Sequence, residues 1–129
     1  MKKIILMLSA AILAITVLAF AAEDKKPELR PVQKLMQGRA AGLKAMSENL
    51  GAGKFEAIVK DADALAAETM KTGEKHPNPL AKEITLAVSM YAKEASAAAA
   101  KNDAAAVKVK LGEIKAKCGE CHTKIRDKK

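Results

Sequence analysis

Short breakers rich in glycine, proline and asparagine divide residues 31–129 into four segments of similar length. They lie at residues 51–53, 73–78 and 101–103. Between them, apolar residues recur every three or four positions, and alanine, lysine, glutamate, leucine and methionine dominate. No stretch alternates apolar and polar residues as a half-buried strand does. The chain is therefore predicted to be all-α.

The breakers also predict where each helix begins and ends. Proline suits a first helical position, and asparagine or aspartate suits the cap before it. The four predicted helices run from Pro31 to about Leu50, from about Lys54 to Thr72 with Gly73 ending the helix, from Pro79 after the Asn78 cap to about Lys101, and from Asp103 to about residue 127. Short loops make consecutive helices antiparallel neighbours. The predicted fold is an up-down-up-down antiparallel four-helix bundle.

The first 21 residues have the three parts of a secretory signal peptide. Lys2 and Lys3 precede an apolar run from Ile4 to Phe20, and a small-residue cleavage site follows. An uncleaved membrane anchor is the alternative, because the run approaches the length that spans a bilayer. The charged residues after the site favour cleavage. We expect an exported domain of residues 22–129, with no stable membrane insertion.

The composition of this domain excludes one class of function and limits the core. Without Lys2 and Lys3 it carries 21 basic against 15 acidic side chains, a net charge of +6. Its only aromatic residues are Phe55 and Tyr91, so it has no platform for stacking bases and is not expected to bind nucleic acid. A bundle so rich in alanine has few large side chains for its centre. A bound cofactor would supply the missing volume.

The motif Cys118-Gly119-Glu120-Cys121-His122 identifies a candidate cofactor. It has the C-x-x-C-H spacing of covalent c-type haem attachment. On a helix, Cys118 and Cys121 lie one turn apart on one face, where both sulfurs can reach the two vinyl groups of a haem. His122 follows Cys118 by four positions, so its imidazole can bind the iron as the proximal ligand.

Three other interpretations of the motif remain open. A thioredoxin-like redox pair would also use C-x-x-C, but it normally lies in a βα unit. A zinc site would need a fourth ligand, and the only other histidine is His76, which is expected in an exposed loop. Two cysteines can also form one structural disulfide.

The bundle geometry predicts a sixth ligand to the iron. Helices one and four are antiparallel, so the start of one lies level with the end of the other. Met36 and His122 each lie about five residues, or roughly 7 to 8 Å, from that same end at 1.5 Å per residue. Met46 is about 15 Å further along. Met70, near the correct end on helix two, is the second candidate, and Met90 lies off its helix's apolar stripe.

The segment Gln33–Met36 and the C-terminal segment Lys117–Arg126 together resemble the class II cytochromes c, the cytochrome c′ family. The resemblance extends over the whole mature chain. It implies one haem c, thioether bonds at Cys118 and Cys121, a proximal ligand at His122 and Arg126 beside the haem. Met36 falls where the low-spin members of that family have their methionine ligand, whereas the high-spin members have a non-coordinating apolar side chain there.

Three functions follow as expectations. The first is a periplasmic electron carrier, not an enzyme, that meets a redox partner protein and is a monomer or a homodimer. The second is a gas-binding protein that takes NO or CO at an open distal site, with Leu35, Leu43 and Phe55 as its apolar lining. The third is a haem-free thiol oxidoreductase that uses Cys118 and Cys121.

Two further expectations concern packing. Arg39 interrupts the apolar stripe of helix one, so it either extends to solvent over its neighbours or pairs with a haem propionate. The haem is expected to fill the centre of the bundle, which would leave the haem-free chain helical but poorly ordered in its side chains.

Overall fold

The computed structural model describes residues 27–128, and these form an all-α four-helix bundle. Helix α1 spans Pro31–Gly51, α2 Phe55–Glu74, α3 Pro79–Ala100 and α4 Ala104–Cys121, and a π-helical turn, His122–Arg126, follows α4. The predicted fold class is confirmed. The predicted signal peptide, residues 1–21, lies outside the described residues. None of the described helices has the length and apolar character needed to cross a membrane.

Two helices begin at the caps that the sequence predicts. The side chain of Asn78 accepts a hydrogen bond from the backbone N–H of Ala81 at 3.1 Å, and that of Asp103 accepts one from Ala106 at 2.9 Å. Such bonds satisfy backbone donors that have no partner within the first turn. Asn102, at a φ of 54°, makes the tight connection from α3 to α4.

Gly73 has a different role from the predicted one. The prediction that it ends α2 is wrong, because the helix continues through Gly73 to Glu74. Gly73 is buried, and a Cβ atom there would lie 2.9 Å from the Cδ2 atom of Leu86 on α3. The absence of a side chain thus allows the close approach of α2 and α3. Nearby, the hydroxyl of Ser89 donates to the carbonyl of Ala66 at 2.7 Å, which also joins the two helices.

The centre of the described bundle is filled by its own side chains. All four helices contribute to one continuous core, in which Met46, Ile58 and Ile114 are fully buried. Leu65 and Leu111 belong to this core, whereas Val32, at the start of α1, is 53% exposed. The expectation that a haem fills the centre stays a prediction. In the described residues, space for a ligand lies toward one end of the bundle.

Candidate functional site

A cleft lies at the end of the bundle where α1 and α3 begin and α4 ends. Its cavity has a volume of about 120 Å³. Most of the lining is apolar. The lining residues are Met36, Arg39, Ala40 and Leu43 of α1; Ile84, Thr85 and Val88 of α3; and Lys117, Cys118, Cys121 and His122 at the end of α4.

The two cysteines line this cleft as free thiols, both half-buried, from successive turns of α4. Cys118 also packs against the core. Burial raises the pKa of the Cys118 thiol, and the positive charge of Arg39 only partly opposes that shift. Cys118 is therefore a protonated thiol at neutral pH. Reactive cysteines of thiol oxidoreductases have lowered pKa values instead.

His122 lines the cleft at the point where the backbone changes from an α-helix to a π-helical turn. The N–H of Asp127 donates to the carbonyl of His122 at 2.9 Å, a bond across five residues that closes the wider turn. The prediction that α4 continues as a regular helix to about residue 127 is wrong. Single π-helical turns occur often at functional sites, because they change the direction of the side chains that follow.

The π-helical turn explains where Arg126 lies. In a regular helix Arg126 would share a face with His122, four positions earlier. Here the structure does not bring Arg126 to the cleft: its side chain is 64% exposed and its Nε atom donates to Asp127 at 2.7 Å. The role that the resemblance implies for Arg126 beside a haem stays a prediction.

Met36 is half-buried and lies on the α1 side of the cleft, together with the other predicted ligand, His122. The remaining methionines of the described residues lie elsewhere. Met46 is fully buried in the core, Met70 borders a different groove beside Lys93, and Met90 is 51% exposed. The structure thus favours Met36 over Met70, the second candidate.

The apolar lining proposed for an open distal site is only partly brought together. Leu43 lines the cleft. Leu35 borders a separate groove, and Phe55 lies at the opposite end of the bundle, because α2 begins where α1 ends. The placement of these two side chains in the cleft was wrong. Ile84 and Val88 contribute instead. Both belong to the apolar stripe of α3. Because α3 and α4 are antiparallel, the start of α3 lies level with the end of α4, so these two residues could have been predicted from the sequence.

Arg39 lines the cleft but does not extend to solvent. Its side chain is only 13% exposed, and its Nε and Nη2 atoms donate to the two carboxylate oxygens of Glu68 on α2, at 2.8 and 2.9 Å. Nη2 also donates to the hydroxyl of Thr72 at 2.8 Å. The expected path to solvent is therefore wrong. The reason is a half-buried carboxylate partner on the neighbouring helix.

Lys117, which lines the cleft, forms a charged cluster with Glu120 and Lys124. The Lys117 and Lys124 amino groups each donate to the carboxylate of Glu120 at 2.7 Å. These two hydrogen bonds lower the pKa of Glu120 to about 2. Glu120 between the cysteines is thus ionised, and it is not one of the residues that line the cleft.

His76 lies in the exposed loop between α2 and α3, as predicted. Its Nδ1 atom accepts a hydrogen bond from the backbone N–H of Asn78 at 3.1 Å. It does not line the cleft that contains Cys118 and Cys121. The fourth ligand that a zinc site at the motif would need is therefore not supplied by His76.

Comparisons of the chain with protein-family models, with curated proteins and with solved structures find no match. The interpretation of the cleft therefore rests on its own residues. Two free thiols one helical turn apart, an imidazole and a thioether lie around one apolar cleft. This set of donors fits a covalently attached haem.

Proposed function

We propose that this chain is a c-type cytochrome that carries electrons in the periplasm through one covalently attached haem. The observation that carries the proposal is the meeting of the complete C-x-x-C-H motif with Met36 in one apolar cleft. A bound haem supplies iron that alternates between the ferric and ferrous states.

Each cleft residue has a defined task under this proposal. Cys118 and Cys121 would hold the cofactor through thioether bonds, each formed when a thiol S–H adds across a vinyl group without a change in oxidation state. His122 would bind the iron through an imidazole nitrogen, and Met36 through its thioether sulfur. Histidine and methionine together favour the ferrous state and raise the reduction potential.

The apolar side chains around these donors exclude water from the attachment site. Leu43, Ile84 and Val88 are buried or nearly so, and they line the cleft between α1 and α4. Exclusion of water and low polarity are the means by which a protein adjusts the potential of a redox centre. The chain itself moves little under this proposal, and it needs no catalytic residue.

The state of Cys118 supports haem attachment over thiol–disulfide exchange. Burial keeps this thiol protonated, whereas a thiol oxidoreductase needs a ready thiolate. The predicted export signal agrees with the proposal, because haem attachment of this type takes place outside the bacterial cytoplasm. The proposed partner is a redox protein, met by a monomer or a homodimer of this chain.

Gas binding is the second candidate function, and the apolar lining of the cleft favours it. Leu43 and Val88 offer no hydrogen-bond donor to a bound ligand. In that case NO or CO would bind on the side of the iron that Met36 faces under the first proposal. The two functions differ in one observable, which is whether Met36 binds the iron.

Intact mass measurement of the denatured protein tests haem attachment. The protein should be made in a bacterial host that has the machinery for attaching haem. We expect the mass of the mature chain plus one haem, and no added mass in the Cys118→Ser/Cys121→Ser variant. A wild-type chain without added mass would refute the proposal.

A further inference from the structure

The first half of α1 is held to the bundle in an unusual way. None of residues 31–42 is buried, and the buried residues of this helix, Leu43 and Met46, lie in its second half. The segment that carries Met36 therefore has no deeply packed apolar side chain. Hydrophobic burial alone gives it little reason to stay against its neighbours.

Arg39 provides the link that the apolar contacts lack. Among residues 31–42, Arg39 is the only one whose side chain forms a hydrogen bond with another helix of the described chain. They join it to both carboxylate oxygens of Glu68 and to the hydroxyl of Thr72. The Thr72 hydroxyl in turn donates to the carbonyl of Glu68 at 3.0 Å. We call these three residues the Arg39 clamp.

The clamp acts one helical turn from Met36. Residues three apart on a helix share a face, and both Met36 and Arg39 line the cleft. A bidentate pair between guanidinium and carboxylate fixes orientation as well as distance. Because the Arg39 side chain is 13% exposed, water competes weakly for it. The pair therefore resists small displacements of α1 relative to α2 at the turn that carries Met36, whose side chain lines the cleft.

We infer that Arg39, held by Glu68 and Thr72, is the positioning residue that keeps the Met36 turn of α1 against the cleft. The inference rests on the proposed function, because it assigns the clamp the task of presenting the Met36 sulfur to iron. Arg39 itself does not bind the cofactor in this role.

Three variants test the clamp in the haem-loaded protein. Glu68→Gln removes the charge, Thr72→Val removes the hydroxyl, and Thr72→Ser retains it. Glu74→Gln, at the exposed end of α2, is the matched control. We expect Glu68→Gln and Thr72→Val to weaken the long-wavelength absorption band of methionine-bound ferric haem. We also expect them to raise the affinity for added imidazole about tenfold, because Met36 vacates the iron more often. Thr72→Ser and Glu74→Gln should stay within about twofold of wild type.

Hydrogen exchange separates the inference from the proposed function. Amides of residues 36–43 should exchange faster in Glu68→Gln than in Glu74→Gln, with or without haem. If no haem is attached, the proposed function fails, and the exchange result alone decides whether the clamp holds this turn. Unchanged exchange in Glu68→Gln would overturn the inference. So would faster exchange with an unchanged methionine band and unchanged imidazole affinity, because the clamp would then hold α1 without positioning Met36.

Discussion

Met36 on α1 and His122 at the end of α4 line one cleft, although they come from opposite ends of the described chain. The relationship follows from antiparallel topology, which sets the start of the first helix level with the end of the last. A methionine thioether and a histidine imidazole are the two side chains that bind the haem iron in cytochromes c.

Replacement of Met36 by alanine removes the proposed sixth ligand. The ferric protein is expected to change from a low-spin to a high-spin absorption spectrum. Its affinity for added imidazole should rise by about tenfold or more, because no side chain then competes for the iron. An imidazole titration followed by absorbance measures both effects.

Two other methionines serve as controls for this experiment. Met70 borders a separate groove and Met90 is 51% exposed, so alanine at either position should leave the spectrum unchanged. A Met36→Ala protein that keeps the wild-type spectrum would favour gas binding over electron transfer. Loss of the low-spin spectrum in Met70→Ala instead would assign the ligand to α2.

The thiol of Cys118 should react slowly in the haem-free, reduced wild-type chain. Its pKa is raised by burial, so less of it is thiolate at a given pH than in an exposed cysteine. Between about pH 8 and pH 10 its alkylation rate should rise more steeply than that of glutathione, because an ordinary thiol with a pKa of about 8.5 approaches full ionisation within that range, whereas a thiol with a raised pKa does so only at higher pH. Peptide mass spectrometry after timed iodoacetamide labelling measures the rate. Faster reaction than glutathione at neutral pH would instead indicate a thiol oxidoreductase.

Glycine at position 73 is required by packing, unlike glycine at position 112. Gly112→Ala meets no atom within 4 Å and should stabilise α4 by about 0.5–1 kcal/mol, because alanine favours a helix more than glycine does. Gly73→Ala places a methyl group 2.9 Å from Leu86 Cδ2 and 3.3 Å from the Leu86 backbone nitrogen. We expect it to be less stable than Gly112→Ala by about 1–3 kcal/mol in urea denaturation. Equal stabilities would show that α2 and α3 separate easily here.

Removal of the haem should disturb one end of the bundle only. In Cys118→Ala/Cys121→Ala protein, methyl resonances of Ile58 and Ile114 should remain dispersed, because side chains alone surround these residues. Resonances of Ile84 and Val88, which line the cleft, should broaden. Nuclear magnetic resonance of the haem-free chain tests this. Collapse of all methyl dispersion would instead mark a molten globule and make the haem the centre of the fold.

The sequence was sufficient for the helix starts and for the motif but not for two contacts between helices. Prolines and capping residues act within one turn, so Asn78 and Asp103 could be assigned locally. Gly73 could not, since a glycine that ends a helix and one that admits a neighbouring helix look alike in sequence. The partner of Arg39 depends on how α1 and α2 align, which no local pattern specifies.

The site shows the same division between local and long-range information. Cys118, Cys121 and His122 belong to one motif, and helix lengths gave the height of Met36. The π-helical turn was missed, because residues after His122 carry no pattern that separates a bond across five residues from one across four. That turn is also the reason why Arg126 lies away from the cleft.

The measurement that tests the account most directly is a pyridine haemochrome assay on the denatured protein. It is performed after extraction with acidified organic solvent, which removes haem that is not covalently bound. The account predicts one haem per chain in the protein fraction with the spectrum of a c-type haem. It predicts none in the Cys118→Ser/Cys121→Ser control. A wild-type protein fraction without haem, from cells that attach haem to another cytochrome, would contradict the account.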